Sequence, residues 1–70
     1  MTDLVAPVTG LVARVVAPGT EVGAEDWVVV LESMKMEIPI QAGVHGLVED
    51  VCVEAGQIVN SGDTIARLSE

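Results

Sequence analysis

The stretch APVTGLV at residues 6–12 returns 36 positions later as AGVHGLV at residues 42–48. After one inserted residue near Ala55 the offset becomes 37, and further identities follow: Gly19, Val22, Asp26 and Leu31 meet Gly56, Val59, Asp63 and Leu68. The chain is therefore one motif written twice, and such a repeat constrains the architecture before any local pattern is interpreted.

Each copy is a series of short strands separated by glycine-led turns. First strands are predicted at residues 10–16 and 46–53. A short apolar segment follows around Val22 and Val59, and each copy ends with a final strand. The apolar residues are mostly valine and other aliphatics, which favour strands, and no stretch has helical spacing. The sequence predicts an all-β fold, a flattened antiparallel sandwich of two four-stranded halves. An approximate two-fold axis relates the halves, each of which buries one apolar face against the other.

Length and charge limit the possible functions. Seventy residues give a single domain, 1–70. They are too few to enclose an active site, so an enzyme is not expected. The formal net charge of −8 would repel nucleic acid and anionic membranes. One cysteine, Cys52, cannot build a disulfide framework, and neither a membrane-spanning segment nor a secretory signal is predicted. We therefore expect a cytoplasmic protein, monomeric in isolation.

The join between the copies falls between residues 35 and 36, where strand-like residues on both sides leave room only for a tight hairpin with Lys35 at its tip. Lys35 is the only lysine, and it is flanked by Met34 and Met36 instead of the usual turn formers Asn, Asp and Gly. Exposed methionines are typical of partner-binding surfaces. With Glu32 and Glu37 nearby, Lys35 is predicted to be the only cation near the tip.

The segment Glu32-Ser33-Met34-Lys35-Met36-Glu37 resembles the modification motif of the biotinyl domains, in which a lysine between two methionines receives biotin through an amide bond. The repeat and the length resemble the same family over essentially the whole chain. Its fold is a barrel-sandwich hybrid, hammerhead-like in shape, which the lipoyl domains share, although their modified lysine usually stands beside an aspartate and an alanine. Many members carry alanine or valine in place of Ser33. The short connection between Val16 and Gly19 has no room for the thumb insert of some bacterial carriers, so the chain resembles the thumbless type.

The resemblance implies that Lys35 is the biotin attachment site, that Met34 and Met36 specify it, and that Glu32 contacts a biotin protein ligase. Covalent biotin would carry a carboxyl group between biotin carboxylase and carboxyltransferase components of a carboxylase, decarboxylase or transcarboxylase. The chain itself would be a carrier without catalytic residues, and the partner enzyme would choose the final carboxyl acceptor. Two alternatives stay open: a lipoyl-type carrier, and an unmodified interaction module that docks through its hairpin.

Four other residues have simpler interpretations. His45 has no second ligand at a credible spacing, so no metal site is predicted. Cys52 is predicted to face away from the core because it alternates with Val51 and Val53. Trp27, the sole aromatic residue, is predicted to serve packing and not to stack on biotin. Glu25 aligns with a glycine that precedes Asp63 in a turn, where positive φ is common, so Glu25 is predicted to be strained if the two copies share backbone shape.

Overall fold

The computed structural model describes all residues, 1–70, and contains eight β-strands and no helix. The strands are β1 (Thr2–Val5), β2 (Gly10–Val15), β3 (Glu21–Val22), β4 (Trp27–Ser33), β5 (Met36–Gln41), β6 (Gly46–Val51), β7 (Ile58–Val59) and β8 (Thr64–Ser69). Strands β2 and β6 end slightly earlier than predicted. The structure offers no helix that could cross a bilayer. The predicted all-β class is confirmed.

The strands form two four-stranded antiparallel sheets. One sheet has the order β1-β8-β6-β3 and the other the order β5-β4-β2-β7. Exchanging each strand for its mate in the other copy, β1 for β5, β2 for β6, β3 for β7 and β4 for β8, converts one order into the other. Irregularities of register coincide as well, since the β2–β4 pairing shifts between Val12 and Arg14 and the β6–β8 pairing between Val48 and Asp50. The predicted two-fold sandwich is confirmed.

Each copy divides its strands between the two sheets, so the copies are interleaved and are not two separate halves stacked face to face. The turns explain this arrangement, because they bond to the central strand of the other copy. The amide of Gly19 donates to the Val48 carbonyl at 2.7 Å, and the amide of its mate Gly56 donates to the Val12 carbonyl at 2.8 Å. The expectation that each copy presents one face to the other is wrong in this respect.

The core between the sheets is entirely aliphatic. No polar or charged residue is buried, and burial of each valine or leucine side chain contributes about 1.5–3 kcal/mol. Both copies contribute to the core, largely through residues that align with each other in the repeat, which we call mates. The core cluster is Ala6, Val12, Val22, Val28, Val29, Leu31, Ile40, Ala42, Val48, Val53, Val59, Ile65, Ala66 and Leu68.

The turns show where the copies agree and where they differ. Gly19 and Gly56 occupy corresponding turn positions with φ of 90° and 94°. Gly62 also has positive φ, 93°, whereas its mate Glu25 has not. The prediction that Glu25 is strained is therefore wrong, because the turn that contains it has a different backbone shape from its counterpart.

Trp27 does not join the core. It lies at the start of β4 and is 38% exposed. The pairing of β4 with β5 shifts register between Trp27 and Val29, and Val28 and Val29 are both buried while the indole stays outside the core cluster. The prediction that Trp27 serves packing is therefore wrong for the core, because the indole does not pack there. Cys52 is exposed, as predicted.

Candidate functional site

The two copies are joined by a tight β-hairpin, as predicted, and its loop has two residues. Strands β4 and β5 pair up to Ser33 and Met36, which leaves Met34 and Lys35 as the loop. Their φ angles are 52° and 65°. Positive φ at both central positions defines a type I′ turn, whose twist matches that of the flanking strands. Lys35 therefore stands at the tip of the hairpin.

The turn residues are unusual for this conformation. Type I′ turns prefer Asn-Gly, and a residue with a Cβ costs roughly 1–2 kcal/mol in the left-handed region. Every other positive φ in the chain belongs to a glycine. Strain of this kind is retained where the surrounding structure enforces it, and it is common at functional sites. The hairpin thus keeps the side chains of Met34 and Lys35 where glycine would be more stable.

The Lys35 side chain is exposed and unpaired. Met34 is 93% exposed and Met36 is 66% exposed on either side of it. Lys35 takes part in neither of the ion pairs of the structure, which join Arg14 to Glu37 and Arg67 to Asp3. No cavity adjoins the hairpin. An open amine on a rigid turn suits covalent modification by an external enzyme, since it offers a nucleophile without any catalytic group beside it.

Two carboxylates stand opposite each other behind the tip. Glu32 on β4 and Glu37 on β5 are direct register partners, and like charges in this relation repel. Arg14 on β2 relieves the repulsion, because its guanidinium lies 3.3 Å from the Glu37 carboxylate. The prediction that Lys35 is the only cation near the tip is wrong: β2 lies beside β4 in the sheet and brings Arg14 close to the hairpin.

A glycine behind Glu32 allows β2 and β4 to approach closely. A Cβ added to Gly10 would lie 2.8 Å from the Glu32 carbonyl oxygen, closer than real Cβ contacts permit. The mate of Gly10, Gly46, is under the same constraint against the carbonyl of Ser69. Gly10 therefore helps to position the strand that carries the hairpin.

Comparison with known proteins identifies the family. A family model described as "Biotin-requiring enzyme" matches residues 1–68. The chain belongs to this family. It is 47% identical over 62 residues to the biotinylated protein TB7.3 homolog of Mycobacterium leprae, a match that covers 89% of this chain and 87% of that protein.

Two further relatives are much longer proteins. The biotin-dependent acyl-coenzyme A carboxylase alpha3 subunit of the same organism is 44% identical over 64 residues, which cover 90% of this chain and 11% of that subunit. The crystal structure of the Kluyveromyces lactis urea carboxylase superimposes with a TM-score of 0.90 and 32% identity over 97% of this chain and 6% of that one. The interpretation as a biotinyl-type carrier domain that uses covalent biotin is thereby confirmed.

All four predicted site residues, Glu32, Met34, Lys35 and Met36, lie on the hairpin. Arg14 is a further residue of the site that the sequence pattern did not indicate. One signal was available in the repeat: Arg14 aligns with Asp50, a reversal of charge between residues that agree in the two copies. His45 is exposed, and no three His, Cys, Asp or Glu side chains group as metal ligands would.

Proposed function

We propose that Lys35 carries biotin as an amide on its Nζ atom and that the chain moves a carboxyl group between the active sites of partner enzymes. The supporting observation is the unpaired Lys35 amine at the tip of a strained type I′ turn, between two exposed methionines. The family match over residues 1–68 supports the same role. Residues 1–70 act in this proposal as one monomeric carrier unit.

The attachment step needs only an exposed nucleophile in a fixed register. The deprotonated Nζ attacks the acyl carbon of a biotinyl adenylate, a C–N bond forms, and AMP leaves as the acyl C–O bond breaks. The proton of the amine passes to solvent. Met34 and Met36 offer apolar contacts to a biotin protein ligase, and Glu32 offers it a charged contact.

After attachment, the hairpin delivers the group to its partners. Biotin supplies the carboxyl-carrying chemistry, and the residues of this chain hold the arm in one register at the end of two paired strands. Amide formation removes the Lys35 charge and leaves Arg14 as the cation nearest the tip. The proposed partners are the biotin carboxylase and carboxyltransferase components of a biotin-dependent enzyme.

Intact mass after co-expression with a biotin ligase tests the proposal. The chain is expected to gain one biotinyl group and to bind streptavidin, whereas Lys35→Arg, which keeps the charge and the exposure, is expected to gain none. Arg67→Lys is the matched control, because it adds a second exposed lysine away from the hairpin; this variant should still carry a single biotin. Biotin on Lys35→Arg, or the mass of a lipoyl group, would contradict the proposal.

A further inference from the structure

A surface groove lies at the end of β4 away from Lys35. Its volume is about 240 Å³, and it is the only groove of the structure. The residues that line it come from copy one alone: Val16, Thr20, Glu21, Val22, Asp26 and Trp27. At 3.3 Å per residue, the length of β4 places it roughly 20 Å from the hairpin tip.

The lining of this groove combines an aromatic surface with negative charge. Trp27 is the only aromatic residue of the chain and is 38% exposed. Glu21 and Asp26 supply two carboxylates, and none of the three bases of the chain lines the groove. Asp26 accepts a hydrogen bond from the Gly23 amide at 2.8 Å, whereas the Glu21 carboxylate has no ion pair or hydrogen bond. Glu21 is therefore free to bind a cation.

The second copy forms no corresponding groove. Its strands repeat those of the first copy, but Thr64 replaces Trp27, Ile58 replaces Glu21, and turn 60–63 has a different backbone from turn 23–26. The groove therefore results from side chains and a turn particular to copy one and is not a consequence of the repeated fold.

We propose that this groove binds an arginine side chain presented by a partner protein. A planar guanidinium stacks on an indole better than an ammonium does and is less strongly hydrated, and it pairs with a carboxylate through directed hydrogen bonds. The charge of this chain favours encounter with a basic surface, because its formal net charge is −8. An arginine held at Trp27 leaves the hairpin free to enter an active site, so a partner can hold the carrier and receive its tip at the same time.

The single tryptophan allows a direct test, since the chain has no tyrosine or phenylalanine. The biotinylated protein is titrated with acetyl-Gly-Arg-Gly-amide and, separately, with the same peptide containing citrulline, which keeps the side-chain shape without the charge. Only the arginine peptide is expected to change Trp27 fluorescence saturably. Amide shifts in NMR spectra are expected within residues 16–27 and not within their mates, 53–64.

Matched variants separate specific binding from general attraction. Glu21→Gln is expected to weaken binding about three- to fivefold, as for the loss of one surface ion pair. Glu54→Gln removes an exposed acid from copy two and is expected to change binding less than about twofold, because a distant charge is screened by salt. Lys35→Arg should bind as tightly as the biotinylated chain, so failure of the attachment proposal would leave this result intact. An equal response to citrulline, or equal losses in the two glutamate variants, would overturn the proposal.

Discussion

Turns 23–26 and 60–63 occupy the same place in the two copies, yet their backbones differ. In each turn the amide of the fourth residue donates to the carbonyl of the first, at 3.1 Å and 3.0 Å. In each, the amide of the first residue also donates to the carboxylate of the fourth, an aspartate, at 2.8 Å. The third residue separates them: Gly62 has φ of 93°, as in a type II turn, and Glu25 does not have positive φ.

A residue outside the turns explains the difference. In the first turn, the Ala24 carbonyl accepts a hydrogen bond from the Gly43 amide at 2.9 Å. The mate of Gly43 is Pro7, which has no amide hydrogen to donate. In the second turn the central peptide is reversed, and the amide of Gly62 donates to the Ala6 carbonyl at 2.8 Å instead. One proline on a neighbouring segment thus decides which way a peptide faces.

The comparison shows what a repeat conserves. Strand order, core mates and the hydrogen bonds across each turn are common to both copies, because a sandwich cannot form without them. Turn type, surface charge and exposed aromatic residues differ wherever a single substitution is accommodated locally. The groove at Trp27 belongs to the second group, whereas the hairpin joins the two copies and has no counterpart in the repeat.

The largest expected effect tests whether the copies contribute equally to the core. Leu31 and Leu68 are mates, and each is 0% exposed. Replacement of either by alanine is expected to lower the free energy of unfolding by about 2–5 kcal/mol, with the two losses within about 1 kcal/mol of each other. Urea titration measures both, and Leu→Val at the same positions provides the comparison if an alanine variant does not fold. Clearly unequal losses would show that the core is not shared evenly.

A smaller loss of stability is expected from a test that compares the sheet carrying the hairpin, β5-β4-β2-β7, with the other sheet. Gly10→Ala and Gly46→Ala each force a methyl group against a carbonyl of the neighbouring strand and are expected to cost about 1–3 kcal/mol. Only Gly10 faces Glu32, close to Lys35. Timed intact mass should show slower biotin attachment for Gly10→Ala and an unchanged rate for Gly46→Ala. Equal rates would mean that the hairpin tolerates displacement of the strand behind it.

The proline explanation of the turns can be tested by a double-mutant cycle. Gly62→Ala is expected to cost about 1 kcal/mol, because alanine is disfavoured at positive φ. In the Pro7→Gly background the new amide can donate a hydrogen bond to the Ser61 carbonyl, the peptide can reverse, and the loss is expected to fall to about half or less. Glu25→Ala serves as the control, with a change below about 0.5 kcal/mol in either background. An identical loss for Gly62→Ala in both backgrounds would refute the role of Pro7.

Much of this molecule is predictable from its sequence, and the exceptions share one physical cause. The offset between the copies places the strands, the core mates and Lys35 at the tip, because these depend on residues that repeat. Arg14 beside Glu37, the exposure of Trp27 and the shape at Glu25 depend on which segments become neighbours in space. The alignment of two copies shows which residues are alike, but it does not show which strands pair or where a register shifts.

The smallest expected effect compares the hairpin with the glycine turns, where positive φ carries no strain. Met34→Asn places a residue that tolerates the left-handed region in the type I′ turn and is expected to raise the free energy of unfolding by about 0.5–1 kcal/mol. Met34 is 93% exposed, so its side chain stabilises no core contact that the change would remove. The same variant is expected to slow biotin attachment, since the methionine would be missing from the surface offered to the ligase. Met36→Asn is the control: Met36 is also exposed but lies in β5 without positive φ, and its replacement should slow attachment without raising stability. Urea titration and timed intact mass distinguish the outcomes. If Met34→Asn were no more stable than the parent chain, the turn would not be strained, and if attachment proceeded at the parent rate, the ligase would recognise the shape of the hairpin and not its methionine.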